Sequence, residues 1–225
     1  MTTGRVDTKD WVPNPVNTRV LKIDGPEIAN FEDQVKLFQA GEKDEVEFLR
    51  FRLRQGVYGQ RQPDRQMIRV KLPFGGVTSD QMEVLGEASE KYAPLKKGHL
   101  TTRENVQYHH VPLGETTDLL RMLGDAGMST REACGNVVRN VVAAPSAGVS
   151  KDEVFDVTPY AAAYARYFLR HPTTQNMPRK SKVAFSGSEK DEAMILMHDV
   201  GMLARIQDGE RGFKIVVGGG LSTRP

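Results

Sequence analysis

Residues 101–110 read TTRENVQYHH, and the layout of this stretch decides the fold. Val106, Tyr108 and His110 alternate with Asn105, Gln107 and His109, a two-residue period that predicts an extended strand from Asn105 to Val111. One face would bury. The other, followed back to Arg103, would present hydrogen-bond donors and a cation. A short strand over His99–Thr102 and a tight turn are expected just before it.

Upstream of this stretch, residues 66–76 read QMIRVKLPFGG. Ile68, Val70 and Leu72 alternate with Arg69 and Lys71, which predicts a strand that ends at Pro73 and carries both cations on one face. Thr78 and Gln81 form a capping-box pattern for a helix bearing Met82, Leu85 and Tyr92. Downstream, Glu115–Ala126 has helical spacing of Leu119, Leu120 and Leu123 before Gly127. A last strand within Met128–Cys134 would complete β-α-β-β-α-β, a ferredoxin-like layer of helices on an antiparallel sheet. The fold class is therefore α+β.

Three units are expected: an N-terminal arm and helices over 1–60, the ferredoxin-like unit over 61–130, and a further α+β segment over 131–225. In the first, Trp11 and Val12 would anchor an extended arm. Pro26 would open a helix with Phe31, Val35 and Phe38 on one face. A second helix over Asp44–Arg54 would bury Val46, Leu49 and Leu53, and Gly56–Arg65 reads as a loop. In the last unit, the small-residue stretch ACGNVVRNVVAAPSAG marks a boundary. Helices are expected from Thr158 to Arg170 and from Lys190 to Leu203, with strands at Lys182–Ser186 and Phe213–Val217.

The formal charge of +2 over 225 residues argues against a general polyelectrolyte binder of nucleic acid or membrane. No apolar run is long enough to cross a bilayer, and MTTGRVDTKDW lacks the apolar core of a signal peptide, so a cytoplasmic location is expected. Cys134 is the single cysteine, which excludes a four-thiolate zinc or iron–sulfur site made by this chain alone. His109 and His110 would point to opposite faces of a strand and make a poor metal pair. GGGLS at 218–222 lacks the lysine of a phosphate loop, and the aromatic pattern of an RNA-recognition sheet is absent. Arg69, Arg103, Arg139, Lys180 and Lys182 remain. Each sits on a strand or tight loop bordered by small or apolar residues, where such cations can converge on a small, multiply charged anion.

Arg69 before LPFGG, then TTRENVQYHH, CGNVVRNV, MPRKSK and VGGGLS, in this order, resemble the sirohaem-containing nitrite and sulfite reductases from about residue 50 onward. The resemblance implies that Arg69, Arg139, Lys180 and Lys182 line the substrate pocket, holding sulfite or nitrite and supplying protons during a six-electron reduction at the sirohaem iron. It places Arg103, Gln107 and His109, with Thr102, Asn136 and Asn140, around the macrocycle's carboxylates. Lys at position 182, where plant-type nitrite reductases tend to have Asn, favours sulfite. The family also carries a [4Fe-4S] cluster on four later cysteines that this chain lacks. The chain is thus expected to be the N-terminal part of a longer enzyme, inactive without a C-terminal half and fed by ferredoxin or a flavoprotein subunit. A non-catalytic tetrapyrrole-binding module is the alternative of another class.

Overall fold

A computed structural model describes residues 21 and 24–218. Helix α1 (Gly25–Gln39) starts where the Asp24 carboxylate accepts from the Glu27 amide, and α2 (Glu45–Arg54) where Asp44 accepts from the amides of Val46 and Glu47. Each cap satisfies amides that an open helix end leaves bare. Phe38 and Phe48 stack at 4.2 Å between the two helices. The buried face of α2 therefore centres on Phe48, while Val46 and Leu49 face solvent. That corrects the expected apolar stripe: Phe48 and Phe51 carry more apolar area, and that area turned inward.

The segment expected as a loop after Gly56 instead forms an edge strand, β1 (Val57–Gly59), antiparallel to β2 (Arg65–Val70). After β2 come α3 (Ser79–Tyr92), with both arms of the Thr78/Gln81 capping box made, then β3 (His99–Leu100), β4 (Val106–Pro112) and α4 (Thr116–Asp125). The sheet runs β1-β2-β4-β3, every pair antiparallel. Ile68, Val70, Val106, Tyr108, Leu119 and Leu123 fill its core together with Phe31 and Phe48. The N-terminal helices thus pack into the same core as the sheet.

Two details depart from the alternation read in the sequence. His110 sits at φ 63 in a bulge, so that Val111, rather than His110, joins Tyr108 on the core face. The expected strand within Met128–Cys134 reduces to one bridge, Lys71 to Ser129. The chain nevertheless runs along that edge: Gly56 lies so close that a Cβ there would stand 2.1 Å from the Thr130 carbonyl oxygen.

The second sheet runs β5 (Val138–Ala143), β6 (Ser181–Ser186), β7 (Val200–Gln207), β8 (Glu210–Val217), parallel through β7 and closed by an antiparallel hairpin. Helix α5 (Thr158–Phe168) covers one face through Ala161 and Ala165, and Ala193 and Ile195 cover the other. Strand β5 was not expected, and the helix expected over 190–203 is a short 3-10 turn at Ile195–Met197 followed by β7. A parallel strand buried on both faces reads as a continuous apolar run, which periodicity cannot tell from a buried helix. Among the described residues no helix is long and apolar enough to cross a membrane. The anchor at Trp11 and Val12 and residues 219–222 of GGGLS lie outside the described residues.

Candidate functional site

The two sheets meet along the C-terminal end of β2, the turn at 101–105, and the loop that leads into β5. In the register of the first sheet, Arg69 on β2 stands opposite Gln107 on β4, which stands opposite His99 on β3. One orientation of the Gln107 amide satisfies its neighbours: its oxygen accepts from Arg69 Nε at 2.9 Å and Nη2 at 2.8 Å, and its nitrogen donates to His109 Nε2 at 3.3 Å. Burial, then the charges of His99, His110 and Arg69, push the His109 pKa below its ordinary value. A neutral ring accepting from Gln107 fits that direction.

Arg69 and Arg139 are held by one loop. Arg69 Nη1 donates to the Ala133 carbonyl at 3.2 Å and touches Cys134 Sγ at 3.7 Å. Arg139 Nε donates to the same carbonyl at 3.0 Å, and its Nη1 to the Gly135 carbonyl, also at 3.0 Å. Gly135 takes φ 85, open to a residue without Cβ. Burial pushes the Arg139 guanidinium down, with Arg69 adding to the effect. Lys180 is lowered by burial and then by Arg139, Lys182, Arg179 and Arg69, so these cations face one another. Among the described residues, none of Arg69, Arg139, Lys180 and Lys182 has a carboxylate within ion-pair distance.

Arg103 extends the cluster. Its Nη2 donates to the Asn140 carbonyl at 2.5 Å, and burial lowers its pKa to about 10, with Glu104 opposing and Arg139 adding. Lys182 lies beside Asp199, whose carboxylate accepts from the Lys182 amide at 2.7 Å. Thr102 is exposed at the tip of the turn, and exposed Asn136 reaches the Pro178 carbonyl at 3.5 Å. Asn140 is 1% exposed, and its amide nitrogen faces the carbonyls of Leu72, Arg103 and Glu104. Its side chain clamps the sheets together.

Residues missed in the sequence complete the site. His198 is pushed down by burial and by Arg103 and Lys182, and its Nδ1 lies 2.9 Å from the Met194 carbonyl. That bond leaves Nε2 as the ring's other polar atom, beside the cations. Lys71 and Glu132, both fully buried, pair at 3.5 Å behind the arginines. The shared face of Arg69 and Lys71 was legible, but not the remote carboxylate that meets Lys71.

The donor set fits a polycarboxylate macrocycle: guanidinium and ammonium groups, unneutralised among the described residues, converge beside amide and imidazole donors. It does not fit an iron–sulfur cluster. Cys134 is buried at 1% exposure, its thiol pushed up by burial, and no group of three or more His, Cys, Asp or Glu among the described residues can hold a metal.

Two family descriptions match this chain: "Nitrite/Sulfite reductase ferredoxin-like half domain" over residues 58–126 and "Nitrite and sulphite reductase 4Fe-4S domain" over 134–225. A "Sulfite reductase [ferredoxin]" of Mycobacterium tuberculosis is 34% identical over 163 residues, 71% of this chain and 28% of that protein. A "Ferredoxin--nitrite reductase" of Leptolyngbya laminosa is 29% identical over 162 residues, 70% of this chain and 32% of that protein. The structure of Mycobacterium tuberculosis NirA protein superposes with a TM-score of 0.74 at 26% identity, covering 88% of this chain and 42% of that one. The chain spans about a third of the length of the curated relatives it matches.

Proposed function

Because this chain belongs to the sirohaem-containing nitrite and sulfite reductase family, we propose that it supplies the anion-binding wall for sulfite reduction. Sirohaem and a [4Fe-4S] cluster are the cofactors of this family. The reading rests on one observation above the others: Arg69, Arg139 and Lys180 converge with Lys182, and among the described residues no carboxylate lies within ion-pair distance of them. Desolvated cations without counterions retain their charge for a ligand, and a small oxyanion is the ligand they fit.

When bound, sirohaem supplies the redox-active iron. The residues of this chain bind and orient. Arg69, pinned by the Ala133 carbonyl and by Gln107, and Arg139, pinned by the Ala133 and Gly135 carbonyls, present their remaining N–H groups to the oxyanion. Lys180, its pKa depressed, holds a proton less tightly than an ordinary lysine and is the chain's candidate donor. Lys182 adds a second ammonium, and its presence favours sulfite over nitrite. Arg103, Gln107 and His109, with Thr102 and Asn136, are assigned to the macrocycle's carboxylates; Asn140 would act there through its hold on the Arg103 backbone. Ferredoxin is the proposed electron donor, the partner that the names of the relatives state for those proteins.

The test is to titrate sirohaem into the purified chain and follow its absorption, then add sulfite or nitrite. Binding should occur and weaken with Arg103→Ala. No spectral change on adding the macrocycle would overturn the reading, and binding whose spectrum ignores both sulfite and nitrite would favour the non-catalytic module.

A further inference from the structure

Lys71 is an anomaly of the first sheet: an ammonium just past the end of β2, with its side chain wholly shielded from water, paired at 3.5 Å with an equally buried Glu132. Such a pair is an expensive way to fill a core, since matched apolar side chains give as much or more stability. What it provides is geometry. Lys71 lies two residues after Arg69, where the extended chain continues past β2, and its Nζ reaches both ends of the loop that holds the two arginines. At one end stands Glu132, the residue before the Ala133 carbonyl that accepts from Arg69 and Arg139. At the other end Nζ donates at 3.3 Å to the carbonyl of Val138, the residue before Arg139. Glu132 is itself fixed: its Oε1 accepts from the Arg170 amide and from Gln175 Nε2, both at 2.7 Å, and its backbone is held at φ 60.

We propose that Lys71 and Glu132 are positioning residues for the anion site, a buried ionic tie that fixes Arg69 and Arg139 at one spacing. The spacing matters only if the arginines share a ligand, so the proposal rests on the reading of the site given above. The groups facing the pair are Arg139 from β5 and Arg131 from the loop; Arg131 is balanced in turn by Glu27 of α1, which also pairs with Arg170. Burial, countered in part by Glu132, lowers the Lys71 pKa to about 8. The tie should therefore loosen within a range of pH where the fold persists.

Side-chain NMR of the full chain, following the Nε and Cζ signals of Arg139 and Arg69, tests this directly. In the unaltered chain the Arg139 signals should shift with a midpoint near pH 8, together with Lys71 Nζ. The neutral pair Lys71→Met/Glu132→Gln keeps the Oε1 acceptor and should fold. In it the Arg139 Nε signal should move towards that of a free guanidinium, the pH 8 step should vanish, and sulfite, added as its sodium salt, should bind about tenfold more weakly, the loss of one charge-assisted bond. Arg139 signals that ignore both the pH step and the double substitution would overturn the positioning role. Should the double variant fail to fold, the titration of the unaltered chain decides alone. Failure of the unaltered chain to bind sulfite would instead count against the anion-site reading, while the Arg139 signals still judge the tie.

Discussion

At the scale of single residues, two charges carry the sharpest expectations. Glu104 occupies the turn of TTRENVQYHH at φ 56, and burial raises its pKa to about 7, opposed by a bond from the Ala143 amide and by Arg103. Its folded pKa lies above the ordinary value of 4.5, so the folded chain retains a proton that the unfolded chain releases as the pH climbs between those values. Stability should fall with rising pH across that window and level off above it. Glu104→Gln should thus stabilise at pH 8 by on the order of 1–2 kcal/mol and do nothing at pH 4.5, as read by thermal melts at both values. Lys182 belongs to the proposed substrate wall. In the complete enzyme, Lys182→Asn should cut sulfite turnover roughly tenfold and nitrite turnover less, the loss of one ammonium contact to the anion. Equal losses would detach the choice of substrate from this residue. The cations were legible in the sequence because each interrupts an apolar context, whereas His198 was not, lying in a stretch that read as helix.

At the scale of elements, legibility followed periodicity. The capping box at Thr78 and Gln81, the leucines of α4 and the alternation of Ile68 and Val70 each have a local signature, and each element formed within a few residues of its expected bounds. Strands β5 and β7 have no such signature, because β5 and the first half of β7 are covered on both faces, which removes the need for a polar face. The bulge in β4 was equally hidden: nothing in HHV shows that His110 leaves the extended region. It does so at φ 63, its amide donating to Gln60 Oε1 at 2.6 Å. His110→Gly should leave the melting temperature unchanged or raise it. His110→Val, whose branched side chain is strained at that φ, should cost about 1–2 kcal/mol. Similar melts for the two variants would mean that the bulge relaxes without cost.

At the scale of the whole molecule, the question is what makes two sheets act as one site. The cations of the cluster come from both: Arg69 and Arg103 from the first sheet and its turn, Arg139, Lys180 and Lys182 from the second and the loop leading into β6. No periodicity within either half could announce that they meet. Besides the Lys71 tie and the bonds of Arg69, Arg103 and Glu104 across the seam, the joint includes the Asn140 side chain. Its Nδ2 has two protons for three carbonyls, at 2.6, 3.1 and 3.4 Å, so the Leu72 and Arg103 oxygens take the well-formed bonds and Glu104 the weakest. Its Oδ1 is buried without a partner, a cost that a residue placed only for stability would not carry. Asn140→Ala strips the joint of both good bonds and leaves their acceptors bare, at about 2–4 kcal/mol. The denaturation midpoint should drop, and hydrogen exchange should show β5 opening apart from β2 and β4. Sirohaem affinity separates the two roles that Asn140 can have. If it acts only as a joint, affinity at a temperature where the variant is folded should fall no further than Arg103→Ala alone takes it, because Arg103 is the proposed macrocycle donor that the joint holds. A larger loss of affinity with little loss of stability would make Asn140 a direct macrocycle ligand and require its side chain to turn out of the joint on binding.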